Sequence, residues 1–185
     1  MLVIHPKDRT TGMLAALYEG MGMAQARVID GCLSNAAICR ALRHTPRTER
    51  IMLLGHGCAT GLLYRDDDTR PFFNRVLVGH PQAYELRRHG SNIVAVFCLA
   101  SEFAQANGLH GLFTGMIISE MAEAEEFGIA TTQEELDREN VKFAERMRSL
   151  LDEGVLLSDI PKRMLALNDT HSPLTDFNYA NIFYL

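Results

Sequence analysis

Cysteine is scarce: the 185 residues hold only Cys32, Cys39, Cys58 and Cys98, in apolar or glycine-rich settings. That is far from the density of a disulfide scaffold, so free thiols in a reducing compartment are expected and the reading is cytoplasmic. The opening Met1-Leu2-Val3-Ile4-His5-Pro6 lacks the basic start, longer apolar stretch and small-residue cleavage site of a secretory signal. No apolar run approaches the ~20 residues that span a bilayer, and no membrane partner is expected. Basic residues are also in deficit. The formal charge is −5 and the longest basic cluster is Leu86-Arg87-Arg88-His89, which argues against a nucleic-acid partner because phosphate binding relies on basic patches. Phosphate-cradling loops of the G-x-G-x-x-G or G-x-x-x-x-G-K type are missing, and so is the G-x-S-x-G elbow. Dinucleotide oxidoreductases, P-loop enzymes and serine hydrolases therefore lose most of their ground. No internal repeat, low-complexity tract or linker breaks the chain.

What remains is ordinary globular composition, 47% hydrophobic, at a length near that of one domain. We read residues 1–185 as a single α/β domain in which strands alternate with helices. Strands are expected at Leu2–Ile4, Ala26–Asp30, Arg50–Leu54, Ala59–Tyr64 and Ile93–Phe97, with strand-like composition again at Phe177–Leu185. Ile51-Met52-Leu53-Leu54 and Ile93-Val94-Ala95-Val96-Phe97 are continuous apolar runs, as in strands of a parallel sheet covered on both faces. Helices are expected over Met13–Tyr18 (ended by glycines 20 and 22), from Ser34 as N-cap to His44, over Gln82–His89, Glu102–Ala106, Gly115–Glu126, and Glu134–Leu151. The last carries a capping-box pattern, Thr132 with Glu135.

Two strands end alike. The first delivers Gly55-His56-Gly57 and the second delivers Cys98. Ligands of open α/β sheets bind beyond the carboxyl ends of the strands, so neighbouring strands would bring His56 and Cys98 to one rim. There a histidine moves protons while a cysteine sulfur attacks a carbonyl. The helix expected after Cys98 would favour its thiolate. Bare glycines beside His56 would leave room for an extended substrate, with backbone amides near Gly57 helping to hold an oxyanion. Asp30, ending the second strand, would line the same rim and favour a basic substrate residue, although strand-end aspartates often cap turns.

A hydrophobic block ending in His-Gly, followed by a hydrophobic block ending in Cys, resembles the caspase-like cysteine peptidases, the group of caspases, metacaspases, clostripain, gingipains and legumain. The separation, 98 − 56 = 42, is near the ~50 of the caspase pair. The resemblance covers about Leu2 to Glu126 as strand order and, as motif, Gly55-His56-Gly57 and the run into Cys98. It implies a three-layer caspase-like sandwich with a mostly parallel central sheet. It also implies peptide-bond or related amide hydrolysis by a Cys98–His56 dyad on a peptide or protein substrate, without cofactor or metal. The chain departs from the caspase pattern around the cysteine, with Val96-Phe97 before it and Leu99-Ala100-Ser101 after it.

Other readings stand beside this one. The same fold could serve as a non-catalytic module that binds a peptide or protein. A flavodoxin-like ligand-binding domain would make Cys98 a core residue, with another strand order and a phosphate-sized pocket at a helix N-terminus. His56, Cys58 and Cys98 form a mixed zinc-type donor set, but His-x-Cys lacks a second paired motif. Cys32 and Cys39, seven apart on the expected helix, read as core, and Asp66-Asp67-Asp68 as a solvated turn. Phe113–Glu120 reads as the inner face of a helix packed on the sheet. Glu120, Glu123 and Glu126 read as an exposed acidic stripe.

Overall fold

Four short runs, Leu2–Ile4, Ile51–Leu54, Ile93–Val96 and Gly111–Thr114, are buried at every position. A strand with no polar side must be covered on both faces, which is the situation of central strands in a parallel sheet. The computed structural model describes all residues except 7, 21–24, 68, 70 and 71. In chain order it contains β1 (Leu2–Ile4), a 3-10 helix (Gly12–Leu17), β2 (Arg27–Ile29), α1 (Asn35–His44), β3 (Ile51–Leu54), β4 (Gly57–Cys58), β5 (Gly61–Tyr64) and β6 (Arg75–Gly79). Then follow α2 (His80–Arg87), β7 (Ile93–Val96), α3 (Ala100–Asn107), β8 (Gly111–Thr114), α4 (Met121–Glu126), α5 (Gln133–Asp152), α6 (Ile160–Leu167), α7 (Pro173–Ala180) and β9 (Ile182–Tyr184).

The main sheet has the order β2-β1-β3-β7-β8-β9, and β4, β5 and β6 form a separate antiparallel sheet. All neighbours in the main sheet are parallel except β9, which runs antiparallel to β8. Because alternate residues of a strand face opposite ways, the sheet feeds two cores. Val3, Met52, Leu54, Val94, Val96 and Leu112 pack with the 3-10 helix, α5, α6 and α7. Leu2, Ile4, Ile51, Leu53, Ile93 and Ala95 pack with α1, α2 and α3. The result is a mostly parallel sheet between two helical layers.

Counting only the strands of the main sheet in chain order, the first five (β1, β2, β3, β7 and β8) stand in spatial order 2-1-3-4-5, the order of flavodoxin-like doubly wound sheets. Strand order therefore does not separate that alternative, contrary to the expectation above. It does place the switch point between β1 and β3, where ligand crevices open.

Several expectations are corrected. The helix expected over Gly115–Glu126 is formed only at Met121–Glu126, and Phe113 lies in strand β8 rather than on a helix. The apolar run there is only four residues long, and the ladder to β7 claims it (Ile93↔Gly111 to Ala95↔Phe113). Gly111, at φ +142°, sits where an added Cβ would lie 2.2 Å from the Ile93 carbonyl oxygen, so the close approach requires glycine. Strand β6 carried no clear signal. The helix after Cys98 starts at Ala100 rather than Glu102. Cys32 is exposed and precedes α1, whose N-cap is Ser34, so it shares no helix face with Cys39. Of α5's expected capping box only one arm forms: Thr132 accepts from Glu135 N, while the Glu135 carboxylate takes the Thr131 hydroxyl. Phe177 belongs to α7, and only Ile182–Tyr184 is strand. Gly22 and Asp68 lie outside the described residues. Among the described residues, no helix is long and apolar enough to cross a membrane.

Candidate active site

The ladder between β3 and β7 pairs Ile51 with Ile93 and Leu54 with Val96, a constant offset of 42. Gly55 N continues it by donating to Val96 O at 3.1 Å. His56 follows β3 and Cys98 follows β7, each two residues past the last ladder pair. Both residues line one small cavity of about 20 Å³, on the order of a single water molecule. Met13, Ser119 and Asn140 also belong to an adjoining cleft of about 370 Å³, which contains Arg9, Thr10, Glu120 and Asp137.

His56 is buried and its Nε2 is surrounded by oxygen. Thr10 Oγ1 lies at 2.7 Å, Asp8 Oδ2 at 3.2 Å and Glu120 Oε1 at 3.5 Å. The Phe73 ring packs on the imidazole, 5.2 Å between centroids. Arg65 donates to Asp8 Oδ2 at 2.8 Å and stands 5.2 Å over the Phe73 ring. Asp8 follows β1, the strand beside β3, so the β1/β3 switch point is where the carboxylate meets the histidine. Burial would raise the Asp8 pKa, but hydrogen bonding and charge from His56 and Arg65 prevail and hold the carboxyl well below its usual range.

Cys98 is half-buried and donates its thiol hydrogen to Ile117 O at 3.4 Å; it makes no hydrogen bond to His56. Burial, reinforced by the Glu123 and Glu120 carboxylates, pushes the thiol up to about 12. The expected thiolate is thus reversed. Leu99, in the left-handed region at φ 63°, separates Cys98 from the first turn of α3, and burial and two carboxylates outweigh the helix end. Glu123 is itself raised by burial, while its Oε2 accepts from Ser119 N, Ser119 Oγ and Glu120 N. The acidic stripe is therefore corrected as well. Glu120 and Glu123 turn toward the site and only Glu126 is fully exposed, because the segment that carries them crosses the strand ends.

Gly57 has another purpose than the one expected. An added Cβ would lie 2.1 Å from Phe97 Cδ2, so the bare backbone accommodates the Phe97 ring rather than a substrate. Gly57 lines neither the cavity nor the cleft. Asp30 is exposed beyond β2 at the sheet edge, two strands from β3, and is likewise outside both. Cys58 pairs with Thr60 Oγ1 at 3.0 Å. Among the described residues no group of three or more His, Cys, Asp or Glu side chains is placed to hold a metal ion.

The sequence reading missed Asp8, Thr10, Arg65, Phe73 and the inward carboxylates. A signal for Asp8 existed. Asp8-Arg9-Thr10-Thr11 follows the first strand, and a short polar turn at a strand's carboxyl end is where a rim residue belongs. Neither a scan against protein-family models nor a search of curated proteins finds a match for this chain.

Proposed function

We propose that this chain is a cysteine hydrolase of peptide or related amide bonds, with Cys98 as nucleophile and His56 as general acid/base, in the manner of the caspase-like peptidases. The observation that supports the reading is that the histidine flanked by glycines after β3 and the cysteine after the neighbouring strand β7 line a common cavity. With a thiol near 12, proton loss accompanies attack instead of preceding it, as at a serine hydroxyl. Cys98 turns away from Ile117 O, and its proton passes to the His56 imidazole as sulfur bonds the carbonyl carbon. The C–N bond then breaks as the imidazolium protonates the departing amine. Water, activated by the same imidazole, releases the acid and restores the thiol. The open cleft beside Met13, Ser119 and Asn140 gives the substrate its approach.

The non-catalytic module is the second reading, favoured by the tightness of the Cys98 cavity. The flavodoxin-like reading is disfavoured by charge. Asp8, Glu120 and Glu123 gather where a phosphate would bind, and the surrounding anions repel it. Turnover of a peptide-amide library by wild type, Cys98→Ala and His56→Ala separates the remaining two. Hydrolysis abolished by both substitutions supports the hydrolase, and saturable peptide binding without hydrolysis supports the module.

A further inference from the structure

The hydrogen-bond network around Nε2 leaves little freedom in where its protons lie. Asp8 Oδ1 accepts from Thr10 N, Thr10 Oγ1, Thr11 N and Thr11 Oγ1, each at 3.1 Å. A hydroxyl has one hydrogen. If Thr10 gives that hydrogen to Asp8, its oxygen can only accept from His56 at 2.7 Å. The second Asp8 oxygen, 3.2 Å from Nε2, and Glu120 Oε1, at 3.5 Å, are acceptors too. A lone pair on Nε2 would face three oxygens and no spare hydrogen. With the ring in its other neutral form, the Thr10 hydroxyl would have to abandon a carboxylate, and Nε2 would point a lone pair at a buried anion.

We infer that Asp8, directly and through the Thr10 hydroxyl, fixes the proton of His56 on Nε2, so that Nδ1 is the nitrogen that gains and loses a proton. Asp8 and Thr10 are thus positioning residues. Their catalytic meaning rests on the Cys98–His56 reading; the tautomer itself does not. Among the described residues Nδ1 makes no hydrogen bond, and on the Cys98–His56 reading it is the nitrogen that takes the thiol proton once the thiol leaves Ile117 O. Among the described residues, the charged groups that interact with this imidazole are Asp8 with its partner Arg65, Glu120, and Glu123 beside Cys98. Sequence reading cannot find such a device, because it depends on which of two ring nitrogens meets a residue 48 positions away, 56 − 8.

Asp8→Asn tests this. The amide oxygen takes the place of Oδ1, where two backbone amides and two hydroxyls converge, which puts the amide NH₂ in the place of Oδ2, facing Nε2 and displacing the Arg65 guanidinium that donates there in wild type. That NH₂ donates, so the imidazole must switch to the Nδ1–H form, the change of tautomer that a buried Asp→Asn causes in a serine-protease triad. Imidazole ¹⁵N spectra of the full chain with the ring neutral read this directly. Wild type shows Nε2 protonated and Nδ1 bare; Asp8→Asn shows the reverse; Thr10→Val, which leaves Asp8 Oδ2 in place, keeps the wild-type pattern. A wild-type Nδ1–H form, or an unchanged pattern in Asp8→Asn, overturns the assignment. Alkylation of Cys98 by a peptidyl electrophile tests the positioning role separately. Asp8→Asn is expected to lose reactivity as fully as His56→Ala. A switched tautomer with unchanged alkylation that His56→Ala does abolish overturns the role of Asp8 alone, whereas alkylation indifferent to His56→Ala sinks the hydrolase and leaves the tautomer standing.

Discussion

Gly57→Ala tests the claim that the glycine after the histidine exists for packing. The added methyl would lie 2.1, 2.7 and 2.9 Å from three atoms of the Phe97 ring, where ordinary carbon–carbon contact is about 3.5–4.0 Å. The ring must therefore retreat by roughly 1.5 Å from that optimum. It has little room to do so. Phe97 is 2% exposed and packs against Phe103 at 6.1 Å between centroids. Its backbone is pinned on both sides by Thr114 Oγ1, which accepts from Phe97 N at 3.1 Å and donates to Phe97 O at 2.8 Å. Overpacking of a tight core costs about 1–3 kcal/mol, and this site belongs in the upper half of that range. For a chain of this size, about 2–3 kcal/mol lowers Tm by about 4–12 °C. Urea titrations of wild type, Gly57→Ala, Phe97→Ala and the double variant form a cycle. Phe97→Ala alone costs about 3–5 kcal/mol, but in that background Gly57→Ala should cost less than about 0.5 kcal/mol. Equal costs of Gly57→Ala in the two backgrounds, or no cost in wild type, would refute the packing argument and return Gly57 to the substrate.

Four further outcomes follow from the same contacts. Glu123→Gln removes the stronger of the two carboxylate charges opposing ionisation of Cys98, so the thiol titration drops below its value of about 12 and alkylation at fixed alkaline pH quickens. Asp8 contributes to stability in the opposite sense to a buried neutral acid. Its folded pKa is depressed, so its contribution is full above the unfolded value of about 3.9 and fades as pH falls through that value toward the folded one. Asp8→Asn should therefore be less stable than wild type near neutrality, with the gap in urea midpoint narrowing below about pH 4. Gly111→Ala meets both a backbone carbonyl and an unfavourable φ, and a loss of about 2–5 kcal/mol is expected by thermal melting. Ser34→Ala deletes the hydroxyl that accepts from Ala37 N at 3.2 Å, which should cost about 1 kcal/mol in the same assay.

The parts of the fold that could be read from the sequence are those in which one segment settles its own fate. Ile51–Leu54 and Ile93–Val96 are apolar on both faces and bounded by turn residues, and each is a central strand. Ser34 and Thr132 announce the helices they cap. β8 was hidden because Phe113-Thr114-Gly115-Met116-Ile117-Ile118 has no period of its own; only the ladder to β7 and the antiparallel partner β9 decide it. β6, Arg75–Gly79, likewise takes its strand form from β5 across a hairpin. At the site, His56 and Cys98 could be read together because each follows a continuous apolar strand, and the ladder makes those two strands neighbours. The surroundings of that pair come from tertiary approach. Asp8 arrives from β1, Arg65 and Phe73 from the hairpin loop, and Glu120 and Glu123 from a segment read as a solvated helix face. Burial then overrode the helix-end argument for a thiolate, a balance fixed by coverage that no local pattern encodes.

In the proposed reaction Cys98 attacks carbonyl carbon with help from His56. Intact-mass analysis of the native protein after exposure, near neutral pH, to a panel of peptidyl acyloxymethyl ketones tests it most directly. A single adduct, mapped to Cys98, formed by a subset of the peptides and lost in His56→Ala, is expected. A Cys98 that stays unmodified by every peptide in the native protein, yet reacts once the chain is unfolded in urea, would contradict it.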